Sequence, residues 1–270
     1  MRVIILKDYE TVSKWAAAYV AHRILTHRKD HKKHFALGLP TGSTPVGMYR
    51  ELVRHHSEGS VSFREVVTFN MDEYIGLPED HPQSYHTFMR ENLFNHIDIP
   101  ADHCHIPDGN TPSPEDECRK YEERMREIDG IDLFVGGVGS DGHIAFNEPG
   151  SSLVSRTRVK TLTRDTILAN SRFFGNDPSM VPKRAITVGI GTVMDADEVM
   201  LLVTGYGKAR ALHMGIEKGI NHLWTISALQ SHKSAIIVCD EEATDELKVR
   251  TVRYFKEIEG PNLDPESLLK

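Results

Sequence analysis

The segment Gly136-Gly137-Val138-Gly139-Ser140-Asp141-Gly142-His143, running on to Glu148-Pro149-Gly150, gathers two carboxylates and an imidazole in one glycine-rich turn. A histidine oriented by carboxylates stays basic enough to shuttle protons. The competing reading is a histidine merely hydrogen-bonded in a tight loop. The density of glycines, which free the backbone for unusual angles, favours the chemical one. Further stretches have related potential. Pro40-Thr41-Gly42-Ser43-Thr44-Pro45 reads as the start of a helix, with Ser43 or Thr44 as its cap and Pro45 in its first position. Its amides and hydroxyls suit an anion; they also suit an ordinary capped turn. Thr204-Gly205-Tyr206-Gly207-Lys208 sets a lysine at a helix start, where it opposes the helix dipole and is better explained by a phosphate than by folding. Asn70-Met71-Asp72-Glu73-Tyr74 supplies a carboxylate that is either a base or a loop acid. Glu73 rivals Asp72 for that role, but neighbours in an extended segment project differently and only one aims inward.

Other chemistries lack their signatures. Gly137, Gly139 and Gly142 satisfy G-x-G-x-x-G, but no amphipathic helix opens after Gly142. The region about 20 residues on holds Arg156, Arg158 and Lys160 rather than a lone acid, so a dinucleotide site is not expected. No Gly-Lys-[Ser/Thr] makes a Walker loop, and no G-x-S-x-G makes a serine elbow. His103-Cys104-His105 cannot aim every side chain at one metal and has no matched fourth ligand. His56-Ser57-Glu58 lacks the P-C-x-x-C half of a zinc deaminase.

Each of the chemically suggestive stretches follows a short apolar run. Such runs cover 3–6, 35–39, 66–69, 131–135, 185–190, 198–203 and 235–239. Most are continuous rather than alternating, as in strands covered on both faces. Helical patterns separate them. Val12, Trp15, Ala16, Tyr19, Val20 and Ile24 share a face; Ser113-Pro114-Glu115-Asp116 opens another helix; Leu247, Tyr254, Phe255 and Ile258 make a further stripe. The alternation predicts an α/β three-layer sandwich with a mainly parallel, Rossmann-like central sheet of about seven strands. It also puts the loops at one sheet edge, where open parallel sheets bind ligands. Residues 1–260 read as one domain with a polar surface flap at about 162–183, and residues 261–270 as a peripheral tail.

The chain has 270 residues and a formal charge of -7, which argues against a dedicated nucleic-acid partner. The basic run at 22–34 reads as a solvated helix end and loop. No apolar run approaches the roughly 20 residues of a membrane span, and the start of the chain does not read as a signal peptide. Three cysteines, Cys104, Cys118 and Cys239, suit a reducing cytoplasm and no disulfide framework.

Four motifs carry a family likeness. They are Leu37-Gly38-Leu39-Pro40-Thr41-Gly42-Ser43-Thr44-Pro45, Phe69-Asn70-Met71-Asp72-Glu73-Tyr74, the loop from Gly137 through His143-Ile144-Ala145-Phe146-Asn147-Glu148-Pro149, and Ser155-Arg156-Thr157-Arg158-Val159-Lys160-Thr161. In order, over roughly the first 255 residues, the chain closely resembles the isomerising glucosamine-6-phosphate deaminases. The related 6-phosphogluconolactonases share the Gly-x-Asp-Gly-His loop but typically continue toward Ser-Leu-Phe-Pro. Glu148 is therefore the discriminating residue. The alternatives are a lactonase-like hydrolase and a non-enzymatic sugar-phosphate sensor.

The resemblance implies conversion of glucosamine 6-phosphate and water to fructose 6-phosphate and ammonium in amino-sugar catabolism. It implies a cytoplasmic homohexamer that needs no metal and no organic cofactor. It implies that Asp72 moves a proton from C2 to C1, and that His143, held and tuned by Asp141 and Glu148, opens the pyranose ring. Gly42, Ser43, Thr44, Arg172 and Lys208 match the phosphate ligands. Ser151, Arg158, Lys160, Thr161 and Tyr254 match an allosteric site for N-acetylglucosamine 6-phosphate. Independently of the family, Arg158 and Lys160 alternate in what reads as an extended segment, so both cations face one side, and no acid lies between Glu148 and Asp165 to pair with them. With Ser151 and Ser152 before them they suit a second phosphate site, or else a solvated edge.

Overall fold

The computed structural model describes residues 1–27 and 32–269. In chain order its strands are β1 (Arg2–Leu6), β2 (Phe35–Leu39), β3 (Val66–Asn70), β4 (Asp72–Tyr74), β5 (Cys104–His105), β6 (Leu133–Gly137), β7 (Arg158–Thr161), β8 (Arg184–Thr187), β9 (Glu198–Val203) and β10 (Ala235–Asp240). Its α-helices are α1 (Tyr9–Leu25), α2 (Val46–Ser57), α3 (Tyr85–Asn92), α4 (Pro114–Glu127), α5 (Arg164–Asn170), α6 (Ile190–Met194), α7 (Ala209–Glu217) and α8 (Val249–Glu259). The basic run at 22–34 falls partly outside the described residues.

Seven strands form a parallel sheet in the order β1-β10-β9-β6-β2-β3-β5. Successive side chains in a strand face opposite ways, and here both ways are apolar. Ile4, Leu37, Val135, Leu202 and Val238 pack with Trp15 of α1 and Tyr49 and Leu52 of α2. Val3, Phe134, Leu201 and Ile237 pack on the other face with Tyr121 of α4, Leu212 of α7 and Phe255 of α8. Burial of each such side chain contributes roughly 1.5–3 kcal/mol, and burial on both faces is why the runs are continuous. The three-layer sandwich is therefore as expected.

The allocation of strands is not. Residues 185–190 were expected among the central strands. Instead β8 is the middle of a small antiparallel sheet, β4-β8-β7, and the seventh central place is taken by the two-residue β5. A continuous apolar run says that a strand is buried, not which neighbours it pairs with. Thr187 of β8 stands opposite both Asp72 and Arg158. The link from β7 to β8 covers residues 162–183, the segment read from the sequence as a surface flap. The amide of Leu162 donates to the carbonyl of Lys183 at its base, 2.9 Å, and α5 and a 3-10 turn at Ser171–Phe173 occupy its middle.

Three local expectations change as well. Pro45 itself caps α2, with no side-chain cap, so the hydroxyls of Ser43 and Thr44 are left for other work. On α8, Phe255 faces the core whereas Tyr254 and Ile258 are exposed. Past Gly260 the chain lies against α1: Trp15 Nε1 donates to the carbonyl of Asn262, 2.7 Å, and Leu263, Leu268 and Leu269 pack on the core beneath α1.

Candidate active site

The carboxyl ends of β2, β3, β6 and β9 open into one cavity of about 680 Å³. Gly42, Ser43, Thr44, Asp72, His143, Arg172 and Lys208 all line it, so the expected phosphate ligands and both principal catalytic candidates meet in one place.

The anion end is built from three segments. The loop before α2 turns at Gly42, whose φ of +92° is open to glycine and strained for other residues. Tyr9, at the start of α1, braces this loop: its hydroxyl donates to the Ser43 carbonyl, 3.2 Å, and accepts from the Gly47 amide, 2.8 Å. Lys208 ends the turn after β9. That turn is fixed by Asp240, which accepts the amides of Gly205 and Ala243. Burial, then the nearby Arg172, lowers the ammonium's proton affinity, while Asp141 opposes both. Two cations facing each other in this way are relieved by a doubly charged anion. Arg172 comes from the flap, with its guanidinium 4.7 Å from the centre of the Phe173 ring.

His143 and Asp141 are the candidate proton-handling pair. His143 Nδ1 lies 2.6 Å from Asp141 Oδ1. Burial alone would raise the Asp141 carboxyl, but its hydrogen bond to His143 and that ring's charge outweigh burial and hold it low. Gly139 is required for this contact, because a Cβ there would lie 2.4 Å from the imidazole. The turn is clamped from outside by Thr225, which accepts from the Ile144 amide and donates toward the Gly142 and Asn147 carbonyls. Ala145, which lines the cavity, has a φ of +52° and is held there by these contacts.

Asp72, which also lines the cavity, is a buried acid, 7% exposed. Burial first, then the charge of Glu73, pushes its carboxyl up to about 8. That proton affinity suits a base working near neutral pH. The rivalry with Glu73 is resolved by direction. Glu73 turns away from the cavity and accepts the amides of Tyr85 and His86.

Glu148 departs from the implied arrangement. It does not hold His143. It is 3% exposed, absent from the cavity wall, and accepts from the Thr163 amide (2.9 Å), the Thr163 hydroxyl (2.8 Å) and the Thr166 hydroxyl (2.5 Å). A buried carboxylate goes where its lone pairs are best satisfied, and the first turn of α5 offers three donors against one imidazole. Glu148 thus ties the catalytic loop to the base of the flap.

The expected allosteric residues are only partly brought together. Arg158 and Lys160 share one face of β7, as their alternation requires, and neither has a carboxylate partner among the described residues. Ser151 is buried with its hydroxyl lacking a partner, while Ser152 and Thr161 are exposed. Tyr254 stands on α8, which packs against β1, and no hydrogen bond among the described residues joins it to β7.

Sequence reasoning missed Tyr9, Tyr85 and Asn170, which reach the cavity from helices, and the aromatic wall of Tyr74, Phe146 and Phe174. Tyr74 and Phe146 sit inside motifs already singled out. Nothing local marked the others. Among the described residues no group of three or more His, Cys, Asp or Glu is placed to hold a metal ion.

The fold is that of an α/β enzyme, and its cavity gathers cationic, hydroxyl, imidazole and carboxylate groups in one place. The sequence model of the family described as glucosamine-6-phosphate isomerases/6-phosphogluconolactonase matches residues 7–238, and the chain belongs to that family. It is 62% identical to the glucosamine-6-phosphate deaminase of Phocaeicola vulgatus over 97% of this chain and 100% of that one. It is 60% identical to the enzyme of the same name from Bacteroides thetaiotaomicron over the whole of both. Among solved structures it resembles a monomeric glucosamine-6-phosphate deaminase at 40% identity and a TM-score of 0.85, covering 90% of this chain and 98% of that one. The 6-phosphogluconolactonase of Trypanosoma cruzi, at 22% identity and a TM-score of 0.73 over 92% and 97% of the two chains, shares the fold.

Proposed function

We propose that the chain converts glucosamine 6-phosphate and water to fructose 6-phosphate and ammonium. The observation that carries this reading is the shared cavity, lined both by the candidate anion ligands and by two candidate proton-transfer groups, Asp72 and His143. The amides and hydroxyls of Gly42, Ser43 and Thr44, with Lys208 and Arg172, anchor the phosphate. His143, oriented by Asp141, takes the proton of the anomeric hydroxyl and delivers one to the ring oxygen, opening the pyranose to the aldehyde. Asp72 removes the proton from C2 while the substrate's ammonium gives one to O1, leaving an enolamine, and Asp72 then returns its proton to C1. The resulting iminium adds water at C2 and expels the amine as ammonium, leaving the ketone. The buried, raised carboxyl of Asp72 supports the base assignment, and the short His143–Asp141 contact supports the ring-opening one.

The reading extends to regulation by N-acetylglucosamine 6-phosphate at Ser151, Ser152, Arg158, Lys160, Thr161 and Tyr254, and to service in amino-sugar catabolism in the cytoplasm. The unpartnered Ser151 hydroxyl and the uncompensated cations of β7 support a phosphate site there. The homohexamer belongs to the same reading, with Tyr254, exposed on α8, available to a neighbouring subunit. No helix among the described residues is long and apolar enough to cross a membrane. The test is ammonium release from glucosamine 6-phosphate in the presence of a chelator. Absence of ammonium together with hydrolysis of 6-phosphogluconolactone would overturn the deaminase reading.

A further inference from the structure

Glu73 is a buried carboxylate with no part in the steps above. It is 1% exposed and immediately follows Asp72 in β4. Its two oxygens collect four donors: the amides of Tyr74 (2.8 Å), Tyr85 (2.9 Å) and His86 (3.2 Å), and Nδ1 of His86 (2.9 Å). Tyr85 and His86 are the first two residues of α3. The helix has a cap of its own, Ser84, whose hydroxyl accepts the amide of Thr87 at 3.0 Å. Glu73 therefore satisfies from another element the first-turn amides that Ser84 does not reach.

This bonding joins two walls of the cavity. β4 brings Asp72, and α3 brings Tyr85 and Phe88. The contrast between the adjacent carboxylates matters too. Glu73 has its full set of donors, whereas Asp72 accepts no hydrogen bond from any described residue. Near Asp72 stand Glu73 and Tyr74 on β4, Tyr85 on α3 and Tyr121 on α4, while His143, Lys208 and Arg172 line the same cavity. Glu79 approaches the far side of His86, 3.8 Å from Nε2.

We propose that Glu73, held by the first turn of α3 and by His86, is the residue that positions Asp72 for proton transfer and keeps a fixed negative charge behind it. The proposal rests on the assignment of Asp72 as the base. The donors fix Glu73, and Glu73 fixes the angle at which β4 presents its neighbour to the sugar. Its charge then disfavours a second one beside it and makes Asp72 the stronger base. Glu73 touches no substrate; it acts through Asp72.

The experiment compares wild type, Glu73→Gln, Glu73→Asp and His86→Ala in ammonium release from glucosamine 6-phosphate across pH. Wild-type turnover, measured first, tests the deaminase assignment separately. The acidic limb of kcat reports the base in the substrate complex. Glu73→Gln removes the charge, so the limb moves to lower pH by about one unit or more, and kcat falls about 10- to 100-fold while KM changes far less. Glu73→Asp keeps the charge but shortens the reach, so kcat falls and the limb stays. His86→Ala removes a donor and leaves the charge, so its limb does not move down. A merely structural role would lower the amount of active protein and leave every limb in place. A wild-type limb in Glu73→Gln overturns the proposal. So does a downward limb in His86→Ala, which remains informative if Glu73→Gln does not fold.

Discussion

Replacing Asp72 by asparagine separates stability from activity in a way that the burial of this carboxyl determines. In the folded chain the carboxyl titrates near 8, against an ordinary 3.8. Between those values the folded state retains a proton that the unfolded chain has released. Stability then falls as pH rises, by about 1.4 kcal/mol for each unit. Across the roughly three units up to pH 7 this ionisation lowers folding stability by about 4 kcal/mol for a dry carboxyl, and by nearer 1 where cavity water raises the effective dielectric. Asparagine has no such proton to lose. Asp72→Asn is therefore expected to match wild type near pH 4 and to exceed it by about 1–4 kcal/mol at pH 7, while turnover drops about 10²- to 10⁴-fold. Urea unfolding at several pH values, alongside ammonium release, reads both quantities. A stability gap that does not widen with pH would refute the reasoning about the carboxyl, and near-normal turnover would remove Asp72 from the mechanism.

His143→Gln should slow the closed pyranose more than an open-chain substrate, since its work ends once the ring opens; rates measured on both forms check this, and equal losses contradict it. Lys208→Ala should raise KM for the phosphorylated sugar about ten- to a hundredfold, the worth of a charge-assisted hydrogen bond, with an unchanged KM speaking against the cradle. Glu148→Gln keeps an acceptor for the threonines but loses the charge. It is expected to speed amide hydrogen exchange across residues 162–183 and to weaken the contribution of Arg172, whereas a defect confined to ring opening would place Glu148 beside His143 in the working enzyme. Arg158→Ala combined with Lys160→Ala should leave basal turnover intact and abolish any response to N-acetylglucosamine 6-phosphate in initial-rate curves; a response that survives returns the pair to a solvated edge.

Residue order alone foretold the sheet, its burial on both faces and the clustering of the Gly42, Asp72, His143 and Lys208 loops at one edge. Those features are local. A continuous aliphatic run reports burial, glycine and proline report backbone angles, and a parallel sheet delivers every loop that follows a strand to the same side. The likeness of four motifs to a family added roles to residues that spacing had only nominated. Tertiary packing decided the rest, because the partner of a strand or a carboxylate lies far away in sequence. β8 left the central sheet because β4 and β7 flank it, and β5 took the vacated place with two residues too few to show a period. Glu73 and Glu148 looked like equals of Asp72 and Asp141 in the sequence. Folding gave one of them the first turn of α3 and the other the first turn of α5, and left Asp72 in the cavity without a hydrogen-bond donor among the described residues. That division follows from how many donors each buried oxygen meets within about 3 Å, a distance that only the assembled chain defines.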